Sequence, residues 1–202
     1  MFEVYTLLIK KMAKNILVLD IETTGFLNQG GKIVEIGIVK LDLDTGNIVP
    51  IYNSLIKEQG LDASHTRGNF GWIFKNSDLN FEDVLEARSL ESQKEEIQDI
   101  LDSYRVTAYN KAFDFGFLKD RGFHIKELDC PMLLSTPIVK LPAAYGRKGF
   151  KWPKVEEAWH YFFGDTGYDE AHRGLDDAAH EAKIVYKLYQ MGEFPYTVSL
   201  FD

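Results

Sequence analysis

The chain has 202 residues, 45% of them hydrophobic and 27% charged, with a net charge of −8 from 31 acidic and 23 basic side chains. That is the composition of a globular chain, and it excludes disorder and a membrane-spanning bundle. The acidic balance argues against long-range, sequence-blind binding of nucleic acid through a basic surface. A single cysteine, Cys130, excludes an internal disulfide and fits a reducing, cytoplasmic setting. Pro131 follows it and nothing nearby supplies a base, so Cys130 does not read as a nucleophile. Residues 1–11 are too short to span a bilayer and lack the basic start and cleavage site of a signal peptide. They precede a second methionine, Met12, and read as an N-terminal extension ahead of one domain over 12–202.

The run Ile16-Leu17-Val18-Leu19 predicts a buried strand. Residues 33–41 predict a long strand, and 48–56 its hairpin partner. The link at 42–47 has the outline of a calcium loop, but it lacks the closing glutamate and runs into strand residues, so a β-turn is expected. Residues 60–80, rich in Gly, Asn, Asp and Ser, form an irregular segment that carries His65, Phe70, Trp72 and Phe74. Apolar spacing predicts helix across 81–104. A short strand follows at 106–109, and then a helix over 112–121 stopped by Gly122. A strand near Glu127-Leu128 precedes helices after Pro131 and Pro153. A long helix over 174–191 is apolar at Leu175, Ala178, Ala179, Ala182, Val185 and Leu188. This order predicts an α/β fold with a mixed five-stranded sheet flanked by helices. Residues 140–155 hold Lys140, Arg147, Lys148, Lys151 and Lys154 without an acid, interleaved with Phe150 and Trp152. Such a mixture holds phosphates and stacks bases, or else it is a solvated loop with Trp152 turned into the core.

Three places carry chemistry. Asp20-Ile21-Glu22-Thr23-Thr24-Gly25 follows the first strand directly. Alternation puts Asp20 and Glu22 on one face, where each raises the other's pKa unless a cation lies between them. The plainer alternative is a strand end turning into solvent. Asn110 and Asp114 are four apart at a strand-to-helix junction, among Phe113, Phe115, Phe117 and Leu118. Here the alternative is an acid that favours the helix start. In His172-Arg173-Gly174-Leu175-Asp176-Asp177, a histidine in a polar loop precedes paired aspartates that open the last helix. A metal set of His172, Asp176 and His180 would need one continuous helix face, which Gly174 interrupts.

In this order and with these spacings, Asp20, Glu22, Asp114, Asp177 and His172 resemble the DEDDh family of 3′→5′ exonucleases. That family includes the proofreading subunit of bacterial DNA polymerase III, oligoribonuclease and ribonuclease T. Residues 20–25 match its Asp-x-Glu-Thr-Thr-Gly motif, and Asn110 with Asp114 match Asn-x-x-x-Asp. His172, Asp177 and Ala178 match His-x-x-x-x-Asp-Ala, which selects Asp177 over Asp176. The likeness covers residues 15 to 190. Tyr109 stands where many relatives have histidine, and segments 57–80 and 140–155 depart from the family pattern.

The resemblance implies a ribonuclease-H-like sheet and two divalent ions, Mg²⁺ or Mn²⁺, held by Asp20, Glu22, Asp114 and Asp177. It implies His172 as general base, and Thr23, Thr24, Phe26 and Asn110 as substrate contacts. The expected reaction releases nucleoside 5′-monophosphates from a nucleic-acid 3′ end. The substrate expected first is DNA, in proofreading or repair, with a polymerase or other protein as an expected partner; RNA ends are the alternative. No membrane is expected. A catalytically silent binding module is a third reading, against which the intact acid set argues.

Overall fold

The computed structural model describes residues 14–143 and 148–196, so the extension expected at 1–11 lies outside the described residues. Four strands make one mixed sheet: β1 (Asn15–Thr23), β2 (Ile33–Asp42), β3 (Ile48–Leu55) and β4 (Arg105–Thr107), ordered β3-β2-β1-β4. β1 is antiparallel to β2 and parallel to β4. Being central, it is buried on both faces, which is why its apolar run is continuous rather than alternating. Among the described residues the helices are α1 (Ile73–Asn76), α2 (Phe81–Glu86), α3 (Leu90–Asp102), α4 (Lys111–Asp120), α5 (Pro131–Val139), α6 (Val155–Phe163) and α7 (Gly174–Gln190). Leu17, Leu19 and Ile38 pack with Ile97 and Leu101 of α3 and Phe115 and Leu118 of α4. Ile16, Val18, Val39 and Leu41 pack with Ala158 of α6 and Ala178, Ala182 and Val185 of α7. The sheet is thus covered by helices on both faces. Among the described residues no helix is long and apolar enough to cross a membrane.

Two expectations are corrected. The sheet has four strands, not five. Glu127 makes only a single bridge to Val106, through Val106 N–H to Lys126 O at 2.9 Å and Leu128 N–H to Val106 O at 2.8 Å. The pairing cannot lengthen because Pro131, which has no N–H, soon opens α5. The helix expected across 81–104 is two helices, α2 and α3. Ala87 is extended, and the Ser89 hydroxyl caps α3 by accepting from Ser92 N–H. At the break, Lys57 N–H bonds Arg88 O and Leu90 N–H bonds Lys57 O, so a backbone bridge replaces helical bonds. The link after β2 is a tight turn, as expected, closed by Gly46 N–H to Asp42 O at 2.7 Å.

The contact that positions the functional region is glycine on glycine. A Cβ on Gly37 in β2 would lie 2.1 Å from Gly174 C and from Leu175 N. A Cβ on Gly174 would lie 2.9 Å from Gly37 N and 3.2 Å from Asp20 O. Backbone thus rests on backbone, which brings the start of α7 against the strand pair that carries Asp20. Gly37→Ala is expected to destabilise the fold by about 3 kcal/mol, because the obstructing atoms are backbone and cannot swing away. Gly116→Ala, in α4, would meet only Leu27 Cδ2 at 3.9 Å and is expected to be neutral or slightly stabilising. Denaturant midpoints of the two variants check this contrast.

Candidate active site

Asp20 and Glu22 leave β1 on the face that α7 covers, opposite Gly37 and Glu35 of β2. The register shifts between Glu22 and Thr23, and this turns the chain into the following loop. Thr24 closes the loop: its N–H bonds Lys32 O at 2.9 Å and its hydroxyl accepts from Lys32 N–H at 3.0 Å. With 1% exposure, Thr24 shapes the loop from behind and does not face the cleft. The Thr23 hydroxyl donates to Gly25 O at 2.9 Å.

Asp114 enters from the first turn of α4 and is 2% exposed. Its Oδ1 accepts from Ile21 N–H at 3.3 Å, which locks α4 onto β1 between Asp20 and Glu22. Asn110 precedes this helix in the left-handed region (φ 59°), a conformation asparagine tolerates better than most residues. Its own side chain is exposed at the rim.

Asp177 arrives from the first turn of α7 and is 1% exposed, whereas Asp176 faces outward and pairs with His180 at 3.2 Å. Asp177 Oδ2 accepts from Arg173 N–H at 2.8 Å. Its Oδ1 is buried with no hydrogen-bond partner. One ligand atom each from Glu22, His172 and Asp177 lie within 4.8 Å of one another. Of the rival set of His172, Asp176 and His180, only Asp176 and His180 meet, at 3.2 Å, while His172 lies with Glu22 and Asp177.

The loop that carries His172 is anchored by its neighbour. The Arg173 guanidinium grips buried Glu35 through Nη2 at 2.8 Å and Nε at 3.1 Å, and Nη1 reaches Asp78 at 2.6 Å. Glu35 also accepts from Gly174 N–H at 2.9 Å. His172 itself is left-handed (φ 52°), with its ring 4.7 Å from that of Trp72 in an edge-on arrangement.

Several residues here escaped the sequence reading. Glu181, one turn beyond Asp177, is a fifth buried carboxylate, and it accepts from Tyr109 N–H at 3.1 Å. Its signal was a charge on the otherwise apolar face of Ala178, Ala182 and Val185. Trp72 was noted only as part of an irregular segment. It helps to line a cavity of about 500 Å³ beside Glu22, with Thr23, Phe26, Asn69 and Phe113.

Burial is the first cause that raises the carboxyl pKa values, and mutual repulsion is the second. Asp20 is raised well above its ordinary value by desolvation and then by the Glu181 and Glu22 charges. Glu22 is raised by desolvation and then by Asp177 and Glu35. Desolvation lifts Asp114 to about 7 against two backbone hydrogen bonds. Asp177 and Glu181 are raised for the same first reason. Oxygen donors, a nearby imidazole, an unpartnered buried carboxylate oxygen and unrelieved repulsion form a donor set suited to a divalent cation.

Comparison with known proteins agrees with the motif resemblance. The DNA polymerase III PolC-type protein of Thermotoga petrophila is 28% identical over 178 residues, which is 87% of this chain and 12% of that protein. The chain therefore spans about an eighth of that relative's length. Among solved structures, the nuclease domain of 3′hExo, a DEDDh family member bound to rAMP, is 15% identical with a TM-score of 0.66, covering 94% of this chain and 99% of that one. E. coli exonuclease I in complex with a dA16 oligonucleotide is 11% identical with a TM-score of 0.61, covering 88% and 41%. Residues 17–185 match the family model RNase_T, described as exonuclease, and the chain belongs to this exonuclease family.

Proposed function

We propose that this protein is a divalent-metal-dependent 3′→5′ exonuclease that releases nucleoside 5′-monophosphates, with DNA ends as its first substrate. The observation that carries the reading is the buried acid cleft, with its unpartnered Asp177 Oδ1, opening beside a nucleotide-sized cavity and His172. The PolC-type relative, a DNA polymerase by name, favours DNA and a polymerase context.

In this reading Asp20, Glu22, Asp114 and Asp177 hold two Mg²⁺ ions, for which Mn²⁺ can substitute. Such ions, when held by these carboxylates, would supply charge neutralisation at the scissile phosphate and a lowered pKa for a bound water. His172 would accept a proton from the attacking water as its oxygen bonds phosphorus, while the bond from phosphorus to the 3′-oxygen breaks and that oxygen takes a proton from solvent to leave as a hydroxyl. Thr23, Phe26, Trp72 and Phe113 receive the terminal nucleoside, and Asn110 stands at the rim. The wall of Phe26, Trp72 and Phe113 offers apolar faces to a base.

The test is nucleotide release from 3′-labelled DNA and RNA strands with Mg²⁺, Mn²⁺ or chelator. Asp20→Ala is expected to reduce kcat by about a thousandfold or more, and chelator to abolish release. His172→Ala should lower kcat by about a hundredfold or more, while Mn²⁺ affinity measured by calorimetry changes less. Release that survives Asp20→Ala would refute the exonuclease reading, and faster release from RNA would assign RNA as the substrate.

The metal-free protein has its own pH signature. Carboxyl groups whose folded pKa is raised stabilise the protonated native state, so the unfolded chain binds fewer protons between pH 4 and pH 7. Stability in chelator therefore falls as pH rises through the ordinary carboxyl range toward about 7, the value for Asp114. The metal-free Tm is expected to be about 5 °C lower at pH 8 than at pH 5.5, with Mg²⁺ restoring it at pH 8. Calorimetric scans check both shifts.

A further inference from the structure

The segment after α5 presents a surface that the acid cleft does not use. Trp152 is 64% exposed and Phe150 47%, and Lys148, Lys151 and Lys154 are exposed around them. The alternative that Trp152 turns into the core is excluded. Phe150 pairs with Pro142 in an antiparallel bridge, and Lys151 N–H bonds Leu141 O at 3.0 Å, so this arm is extended and tied to the chain beside it. Phe150 and Trp152 stay exposed, while Lys151 pairs with Glu157. Lys148 and Lys154 make no ion pair among the described residues. Two exposed lysines outside any close ion pair thus flank two exposed rings on an otherwise acidic protein.

The arm also leads into the cleft. Pro153 O accepts from the Tyr109 hydroxyl at 3.0 Å, and Tyr109 adjoins Asn110 while its N–H bonds Glu181. The arm is thus joined, through Tyr109 and Glu181, to the backbone that borders the acids.

We propose that Lys148, Phe150, Trp152 and Lys154 bind the single-stranded part of the nucleic acid upstream of the terminal nucleotide. The bases stack on the two rings, and the phosphates lie near the two lysines. Stacking needs unpaired bases, so the surface selects single strands over duplex ends. This rests on the exonuclease reading for the direction of the strand, while the binding itself does not need turnover.

The experiment compares kcat/KM for a single-stranded 12-mer and for a dinucleotide, in wild type and in the double variant Phe150→Ala/Trp152→Ala. The 12-mer advantage is expected to fall about tenfold or more, chiefly through KM, and Trp152→Phe should retain most of it. Lys148→Ala/Lys154→Ala should flatten the salt dependence of 12-mer binding. Because all four side chains are exposed, Tm should stay near that of wild type. An unchanged 12-mer-to-dinucleotide ratio in the folded double variant would overturn the proposal, and would point instead to a protein partner for these rings. If wild type cleaves neither substrate, the exonuclease reading fails by itself. Fluorescence anisotropy of the labelled 12-mer in chelator then decides the surface: weaker binding by the double variant upholds it, and equal binding refutes it.

Discussion

The backbone contact between Gly37 and Gly174 is the constraint on which the rest of the cleft depends. No side chain separates β2 from the first turn of α7, so that turn comes down against Asp20 O. Asp177 is then delivered, one helical turn on, to the carboxylates of β1. Any Cβ at this crossing would lift the helix, and the acids would part by the same displacement. Close packing here thus sets an electrostatic distance.

That distance is unfavourable for the bare protein, and the surrounding structure offsets it. Asp114 takes an N–H from Ile21, Asp177 one from Arg173 and Glu181 one from Tyr109. The bonds to Asp114 and Glu181 come from other elements and fasten the fold, while Asp177 is held by the N-cap of its own helix, so the carboxylates are pinned while repelling one another. Arg173 with Glu35 acts differently. Its fork fixes the loop of His172 to β2, and a third bond to Asp78 ties the segment of Trp72 to the same point. Glu35 is buried while Arg173 is a third exposed, so removing Arg173 would leave a buried carboxylate without its cation, and the pair holds the histidine loop although that segment lacks regular structure.

Much of the site was legible because its parts are local events. Asp20 and Glu22 follow from strand alternation, Asp114 from a helix start beside aromatic residues, and Asp177 from the spacing after His172. The central strand was legible because burial on both faces removes polar residues from it. What escaped lacks a local signature. Glu181 lies on the buried stripe of its helix with Ala178, Ala182 and Val185, but a lone carboxylate there matches no motif, and only the bond from Tyr109 N–H shows its partner. Trp72 sits where no period exists to place it. The break between α2 and α3 was hidden because the apolar spacing carries on across Ser89, and the cap competes for backbone groups that periodicity does not count. A strand of the length at Glu127-Leu128 has no alternation to read. Thr24 was expected as a substrate contact, and its hydroxyl is instead buried, accepting from Lys32 N–H, which periodicity does not foretell.

The strand order has a consequence for how the molecule is made. Ile21 and Asp114 meet across 93 residues of chain, and Glu35 meets Gly174 across 139. Such contacts close large loops, so they form late and make folding slow relative to a fold of neighbouring contacts. A growing chain that has not yet reached Asp177 can form the β2–β3 hairpin and the core of α3 and α4, but it contains no completed acid cleft. The centre comes into being only when the last long helix docks, so a partly synthesised chain is a scaffold without its chemistry.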